Sequence, residues 1–193
     1  MNIRFVTSNE GKAEEVRALL EPLGYTVERI NTTYPELQVD SLEAVVNYGL
    51  EWLSTRVEQP FIIDDSGLFV SALKGFPGVY SAHCYKTLGW KGILKLLEGS
   101  DDRAARFECC AGLMIGGKKH IFTGVTEGSI IEAPRGEGGF GFDPVFLPNG
   151  TSATFAEMGH GIKNRISHRG RAISALVAHL AEASHAPAVK EGE

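Results

Sequence analysis

The sequence predicts one α/β domain built on a mixed β-sheet that is flanked by helices. Its 193 residues are 43% hydrophobic and 22% charged, which suits one globular domain with a sizeable core. Short β-prone segments alternate with segments of helical periodicity, and no repeat or linker interrupts them. We therefore predict a folded domain over residues 1–185 and a disordered tail over 186–193, where Pro, Gly and charged residues accumulate.

The first half of the chain predicts three strands and two helices. A strand at 3–6 precedes a polar loop at 7–12 and an amphipathic helix, and a second strand covers 25–30. Ser41 is a good N-cap for a helix whose apolar face runs from Leu42 to Leu53. A short buried strand at 61–63 is expected to end where the polar run begins at Asp64.

The second half predicts a helix, a hairpin, a strand and a final helix. A turn-rich segment at 75–78 leads to a helix through 93–97 that stops near Gly99. Segments 107–115 and 120–126 are typical of an antiparallel hairpin, and 145–147 of a further strand. Ser167 is a good N-cap for the last helix.

Composition restricts the partners and the location of the protein. The 19 basic and 24 acidic residues give a net charge of −5, and no Lys/Arg run predicts a nucleic-acid partner. A small phosphate ligand remains compatible, because a helix start and a few cations suffice to hold it. No apolar run approaches the roughly 20 residues of a membrane span. With no signal-peptide pattern, the prediction is a cytoplasmic protein that does not bind membranes.

The polar loop after the first strand is a candidate phosphate site. It offers two hydroxyls, an amide, a flexible glycine and a cation at a strand-to-helix turn, in the order Thr7, Ser8, Asn9, Glu10, Gly11 and Lys12. The glycine spacing of a Walker loop is absent. An ordinary capped helix with a surface lysine explains the same residues equally well.

The run Asp64-Asp65-Ser66-Gly67 is a candidate metal site. Carboxylates directly after a buried apolar strand are costly unless they have partners, and Mg²⁺ prefers such oxygen ligands. A turn capped by Asp is the alternative. Glu36 is a second acid on a loop, and in isolation it predicts no metal role.

Two later segments are candidates for contacts with a nucleotide. Phe140 and Phe142 lie in a glycine-rich stretch and could stack on a base, although core aromatics of a strand would give the same pattern. His168 and Arg169 lie at the start of the last helix, shortly after Lys163, and could donate to keto or phosphate oxygens. An exposed helix start is the alternative there.

Taken in order, these motifs resemble the inosine triphosphate pyrophosphatase family, also called the non-canonical purine nucleoside triphosphate pyrophosphatases. The resemblance spans nearly the whole chain, and it is strongest to archaeal members at Tyr34-Pro35-Glu36-Leu37-Gln38 and Gly75-Phe76-Pro77-Gly78-Val79-Tyr80-Ser81. It also includes Asp64-Asp65-Ser66-Gly67-Leu68, Gly139-Phe140-Gly141-Phe142-Asp143-Pro144, Phe155-Ala156-Glu157-Met158, Lys163-Asn164 and Ser167-His168-Arg169. Bacterial relatives carry a Lys in the helix that here follows Ser41, and this stretch has none.

The resemblance implies a role for each of these residues. Asp65 would be the general base and, with Glu36, a ligand of Mg²⁺. The other residues would bind the substrate: Thr7, Ser8, Asn9, Glu10, Gly11 and Lys12 the triphosphate, Ser66 the substrate nearby, and Phe140, Gly141, Phe142, Asp143, Lys163, His168 and Arg169 the base and its 6-keto edge.

The resemblance also implies a homodimer with an elongated mixed sheet and the nucleotide in a central cleft. The expected reaction is hydrolysis of inosine, deoxyinosine and xanthosine triphosphates to monophosphate and pyrophosphate. Two alternatives stay open: a pyrophosphatase for other modified nucleotides, like the septum-inhibitor family, and a nucleotide sensor without turnover.

Overall fold

The computed structural model describes residues 1–35 and 37–185, with side chains to residue 182; the predicted tail at 186–193 lies outside this part. Its six strands are β1 (Asn2–Val6), β2 (Thr26–Ile30), β3 (Phe61–Val70), β4 (Ala104–Ile115), β5 (Lys118–Ile130) and β6 (Phe146–Pro148). The helices are α1 (Glu10–Leu20), α2 (Leu42–Leu53), α3 (Ser81–Thr87), α4 (Gly89–Leu96), α5 (His160–Ile166) and α6 (His168–His185). None of these helices is long and apolar enough to cross a bilayer.

Within the described residues the strands form one mixed sheet in the order β2-β1-β3-β4-β5-β6. β1 pairs in parallel with both β2 and β3, whereas β3, β4, β5 and β6 pair antiparallel to one another. This confirms the predicted α/β class, and it confirms the hairpin with its turn at Gly116 and Gly117.

Helices cover both faces of the sheet. On one face α1 and α6 pack over β1 and β4, with Phe5, Val16 and Leu176 in one buried cluster. On the other face α2 packs over β3 and β4, and Leu50 and Ile63 share a second cluster. Adjacent residues of β3 and β4 therefore point into two different environments.

One predicted boundary is wrong and two helices were not predicted. β3 continues to Val70 without ending at Ile63, because Asp64 to Val70 pair with β4 from Ala111 to Ala105. The polar run therefore lies inside a strand, where side chains alternate between the two faces. Helices α3 and α5 were not predicted. Ser41 and Ser167 cap their helices as predicted, accepting from the N–H groups of Ala44 and Gly170.

Candidate active site

The polar loop after β1 forms the start of helix α1. Asn9 is the N-cap, and its Oδ1 accepts a hydrogen bond from the Lys12 backbone N–H at 3.2 Å. Thr7 Oγ1 accepts from the Asn9 N–H, which fixes the turn out of the strand. The first N–H groups of a helix lack partners within it, so this end offers donors and a positive dipole to an anion.

Arg29 braces this loop from the neighbouring strand β2. Its guanidinium donates to the carbonyl oxygens of Thr7 and Ser8 and to the carboxylate of Glu10. Glu10 is exposed and also accepts from Arg17. The structure thus engages Glu10, a predicted substrate-binding residue, with two arginines, and it leaves the Ser8 side chain exposed.

Asp64 and Asp65 occupy opposite faces of the sheet. The Asp64 side chain is 1% exposed, lies 3.2 Å from Lys12 Nζ through Oδ1, and accepts from Arg169 Nε through Oδ2 at 2.9 Å. Asp65 pairs with Cys110 in the β3–β4 register and is partly exposed on the α2 face. The two neighbouring carboxylates therefore do not form one joint metal site, contrary to the interpretation of the run as a unit.

Six buried or half-buried charges alternate in sign across the α1 and α6 face. Each of these residues contacts the next in the following order: Lys12, Asp64, Arg169, Glu15, Lys163 and Asp143. Lys163 Nζ lies 2.7 Å from Glu15 Oε1 and 2.6 Å from Asp143 Oδ2. Three positive and three negative groups neutralise one another, which makes their burial energetically tolerable.

The network shifts the pKa of its acids. Burial opposes ionisation of Asp64 and Glu15, but nearby cations outweigh it, so the pKa of each carboxyl is lowered. For Asp64 these cations are Lys12 and Arg169, and for Glu15 they are Arg169 and Lys163. Both acids are ionised at neutral pH, and each therefore holds its cations by charge as well as by hydrogen bonds.

Asp143 is fixed by a glycine turn. Its Oδ2 accepts from the Phe140 N–H at 2.8 Å, and a Cβ at Gly139 would lie 2.1 Å from this same oxygen. Gly139 also has a φ of +69°, so no other residue suits this position. Burial raises the pKa of Asp143, and Lys163 only partly offsets that effect. Asp143 thus anchors Lys163 and the backbone of Phe140 together.

Phe140 and Phe142 have different environments. The Phe140 ring lies 4.7 Å from Lys163 Nζ and 5.6 Å from the Arg169 guanidinium carbon, and it is partly exposed. It also packs on Gly11, where a Cβ would approach it to 2.8 Å. Phe142 is 3% exposed and packs in a core cluster against Tyr85. The structure therefore favours Phe140 over Phe142 as a stacking surface.

His168 lies in an aromatic environment behind the charge network. Its ring stacks on Phe107 at 4.7 Å, and its Nδ1 is buried without a hydrogen-bond partner among the described residues. Burial, followed by the charges of Arg169 and Lys163, places its pKa well below the usual value. His168 is therefore neutral at pH 7, as its place at a helix start predicts.

Of the remaining predicted site residues, Ser66 and Gly141 lie near the charge network, and Glu36 is not described. Ser66 accepts from Arg169 Nη2 at 3.0 Å, and Gly141, with a φ of +65°, continues the turn after Phe140. Glu36 lies outside the described residues. Among the described residues, no three His, Cys, Asp or Glu side chains are grouped as metal ligands.

Asp65 nevertheless fits a hard cation better than Asp64. It is partly exposed, whereas both oxygens of Asp64 face cations of the protein. Burial, then Glu43 and Asp65, raise the pKa of the facing Cys110 thiol to about 12. Mg²⁺ prefers oxygen ligands to sulfur, so Asp65 is the candidate ligand of this pair.

Two residues of this contact network were not predicted from the sequence. Glu15 contacts both Lys163 and Arg169, and Arg29 braces the candidate phosphate loop at residues 7–12. One signal for Glu15 was available, because it follows Lys12 by three positions and so shares its side of the helix. No local signal connects Arg29 with the loop, since this contact depends on the parallel pairing of β1 and β2.

Comparison with known proteins gives concordant matches. The profile of the Ham1 family matches residues 3–179. A dITP/XTP pyrophosphatase of Thermococcus kodakarensis is 58% identical over 173 residues, covering 90% of this chain and 94% of the relative. Another of Pyrococcus horikoshii is 50% identical, covering 91% and 95%.

Solved structures of Ham1 proteins also resemble this chain. The Ham1 protein of Staphylococcus aureus matches with a TM-score of 0.80 and 29% identity, covering 95% of this chain and 100% of its own. A HAM1 protein from Coxiella burnetii matches with a TM-score of 0.82 and 31% identity, covering 94% and 99%.

Proposed function

Because this chain belongs to the Ham1 family, we propose that it hydrolyses non-canonical purine nucleoside triphosphates, including dITP, ITP and XTP, to the monophosphate and pyrophosphate. Two close relatives are named dITP/XTP pyrophosphatase. The observation that carries the proposal is the contact between the two halves of the site: Lys12 at the phosphate loop and Arg169 at the last helix share the carboxylate of Asp64. A triphosphate bound at one half therefore has its base near the other.

The start of α1 would bind the triphosphate. Free backbone N–H groups and the helix dipole favour an anion there, and Lys12 adds a positive charge. The side chains of Thr7 and Asn9 already hold the turn in shape, so little ordering remains to be done on binding. Ser8 adds an exposed hydroxyl at the same loop.

Asp65 would act as the general base. It takes a proton from water as the water oxygen bonds to the α-phosphorus and the bond from that phosphorus to the α–β bridging oxygen breaks, releasing pyrophosphate. Asp65 and Glu36 would hold Mg²⁺, which neutralises phosphate charge when bound. The partial exposure of Asp65, compared with the burial of Asp64, supports this assignment.

The base would meet Phe140, Lys163 and Arg169. Both cations donate only, so they suit a 6-keto oxygen and oppose the 6-amino group of adenine. Arg169 donates hydrogen bonds from Nε, Nη1 and Nη2 to Asp64, Glu15 and Ser66, and these bonds fix the plane of its guanidinium. Leaving a buried donor unpaired costs about 1–3 kcal/mol, enough to prefer inosine over adenosine.

We further propose that the protein is a cytoplasmic homodimer that binds neither nucleic acid nor membranes. Large apolar side chains are exposed at Phe76, Tyr80 and Leu88, which supports an apolar contact between two copies. Light scattering coupled to size-exclusion chromatography measures the mass in solution. A monomer at micromolar concentration would contradict the dimer.

The experiment that tests the proposed function identifies both phosphorus products. The protein is incubated with Mg²⁺ and, separately, with inosine, xanthosine, guanosine and adenosine triphosphates, and the products are resolved by ³¹P NMR. Monophosphate with pyrophosphate, formed fastest from inosine and xanthosine triphosphates, is expected. Diphosphate with orthophosphate would contradict it, and binding without products would favour a sensor.

A further inference from the structure

Glu15 is a buried acid that no motif of the sequence marks as functional. It lies on α1, one turn after Lys12, and is 2% exposed. Its Oε1 accepts from Lys163 of α5 at 2.7 Å, and its Oε2 accepts from Nη1 of Arg169 on α6. One carboxylate therefore links three helices.

Lys163 and Arg169 each have an acidic partner besides Glu15. Lys163 also contacts Asp143, and Arg169 also contacts Asp64 and Ser66. Each cation would therefore keep a counter-charge without Glu15. What would be lost is the group that contacts both of them and so fixes one relative to the other.

Both cations lie against the same partly exposed ring. Phe140 is 4.7 Å from Lys163 Nζ and 5.6 Å from the Arg169 guanidinium carbon. A base that stacks on Phe140 would meet these two donors at a separation set by Glu15. A hydrogen-bond pattern discriminates between bases only when its donors are held at fixed positions.

We propose that Glu15 is a positioning residue that fixes the spacing of Lys163 and Arg169 and thereby sets the preference for keto purines over adenine. This rests on the proposed function, since it assigns the base to Phe140 and these two cations. Glu15 acts through the cations and does not touch the phosphates, so its removal affects ligands that contain a base and spares inorganic polyphosphate.

Binding measurements test this without requiring turnover. Calorimetry would give dissociation constants of inosine monophosphate, adenosine monophosphate and inorganic tripolyphosphate for the wild type and Glu15→Gln. Glu14→Gln is the matched control, because Glu14 is the adjacent residue on α1 and is exposed. Glu15→Gln is expected to weaken the binding of inosine monophosphate by about 10- to 150-fold, which corresponds to the loss of one charged hydrogen bond.

The accompanying ligands separate positioning from general damage. Tripolyphosphate binding by Glu15→Gln should stay within about threefold of the wild type, and the inosine-to-adenosine preference should fall by about tenfold or more. Glu14→Gln should match the wild type with every ligand. Equal weakening of inosine monophosphate and tripolyphosphate, or an unchanged preference, would overturn the proposal.

Glu15→Asp provides a second variant in case the amide impairs folding. It keeps the charge but is one methylene shorter, so it should be more stable than Glu15→Gln while binding inosine monophosphate less tightly than the wild type. If Glu15→Asp bound inosine monophosphate as tightly as the wild type, the length of the Glu15 side chain would not matter, and the proposal would be overturned. Because these are binding data, an inactive wild type would refute the proposed function and leave this test valid.

Discussion

Asp64 and Asp65 are neighbours in the chain, yet they belong to two different regions of the molecule. Asp64 faces α1 and α6, where it is buried between Lys12 and Arg169. Asp65 faces the α2 side, where it pairs with Cys110 in the β3–β4 register. Cys110 and Glu43 help to line an open cavity of about 310 Å³. The Asp64 carboxylate is buried against two cations, and the Asp65 side chain is partly exposed.

This difference follows from the strand that carries both residues. Had the chain turned at Asp64, the two acids could have converged on one cation. Because β3 continues through Val70, alternation sends them to opposite faces. Strand β3 therefore places Asp64, which holds two cations, on one face and Asp65, the proposed general base, on the other. Each residue can be substituted separately.

The largest expected effect comes from Asp65→Asn. Loss of a general base should lower kcat for inosine triphosphate by about 10²- to 10⁴-fold. Dissociation constants for nucleotide measured without Mg²⁺ should change little, because asparagine keeps the size of the side chain and Lys12 and Arg169 keep their partner Asp64. Steady-state kinetics together with calorimetry measure both quantities. A variant with wild-type kcat would remove Asp65 from the chemistry.

Asp64→Asn should act mainly on stability. Breaking a buried ion pair by removing one partner typically costs about 3–5 kcal/mol, and Asp64 has two cationic partners. Urea unfolding of this variant beside Asp65→Asn measures the contrast in free energy of unfolding. Equal losses of unfolding free energy in the two variants would contradict the contrast between a buried, ion-paired Asp64 and a partly exposed Asp65.

The aromatic pair extends the comparison to the glycine-rich loop. Phe142→Ala should destabilise the fold by about 3–5 kcal/mol, since it empties a buried site. Phe140→Ala should instead raise KM, because stacking of a base on an aromatic ring is worth roughly 1–3 kcal/mol. Unfolding curves and KM values for both variants check this. A higher KM with full stability in Phe142→Ala would restore it to the pocket.

The smallest expected effect is a pH dependence from His168. Its pKa in the folded protein is well below the usual value, mainly through burial. The unfolded chain binds this proton near pH 6.5 while the folded protein does not, so stability falls below about pH 6.5 by up to about 1.4 kcal/mol per pH unit. His168→Gln should lose this slope between pH 7 and 5.

His83→Gln is the control for this titration, because His83 is exposed. It should keep the wild-type slope of the free energy of unfolding against pH. Identical slopes in the wild type and His168→Gln would show that His168 takes up its proton in the folded state, contrary to its buried environment.

Local signals were sufficient for much of the fold. Apolar periodicity and caps placed α2 after Ser41 and α6 after Ser167, and two glycines with a lysine marked the β4–β5 turn. The strand, polar loop and helix at the start of the chain were also predicted, because they follow each other directly in sequence; the phosphate role of the loop stays a prediction. These features depend on neighbours in sequence, which is why sequence reasoning reaches them.

The features that were missed depend on contacts between distant segments. Glu15 meets Lys163 and Arg169 only after α1, α5 and α6 pack together, and the extension of β3 is decided by its pairing with β4. Phe140 and Phe142 look alike in sequence, and tertiary packing alone exposes one and buries the other. The predicted metal role of Glu36 concerns a residue outside the described part of the chain, and it stays a prediction.

The position of the attacking water tests the account most directly. Hydrolysis of inosine triphosphate in H₂¹⁸O, followed by mass spectrometry of both products, reports which phosphorus the water attacks. Attack at the α-phosphorus, as proposed for Asp65, places the label in inosine monophosphate and leaves pyrophosphate unlabelled. Label in pyrophosphate would mean attack at the β-phosphorus and would contradict the proposed arrangement of the site.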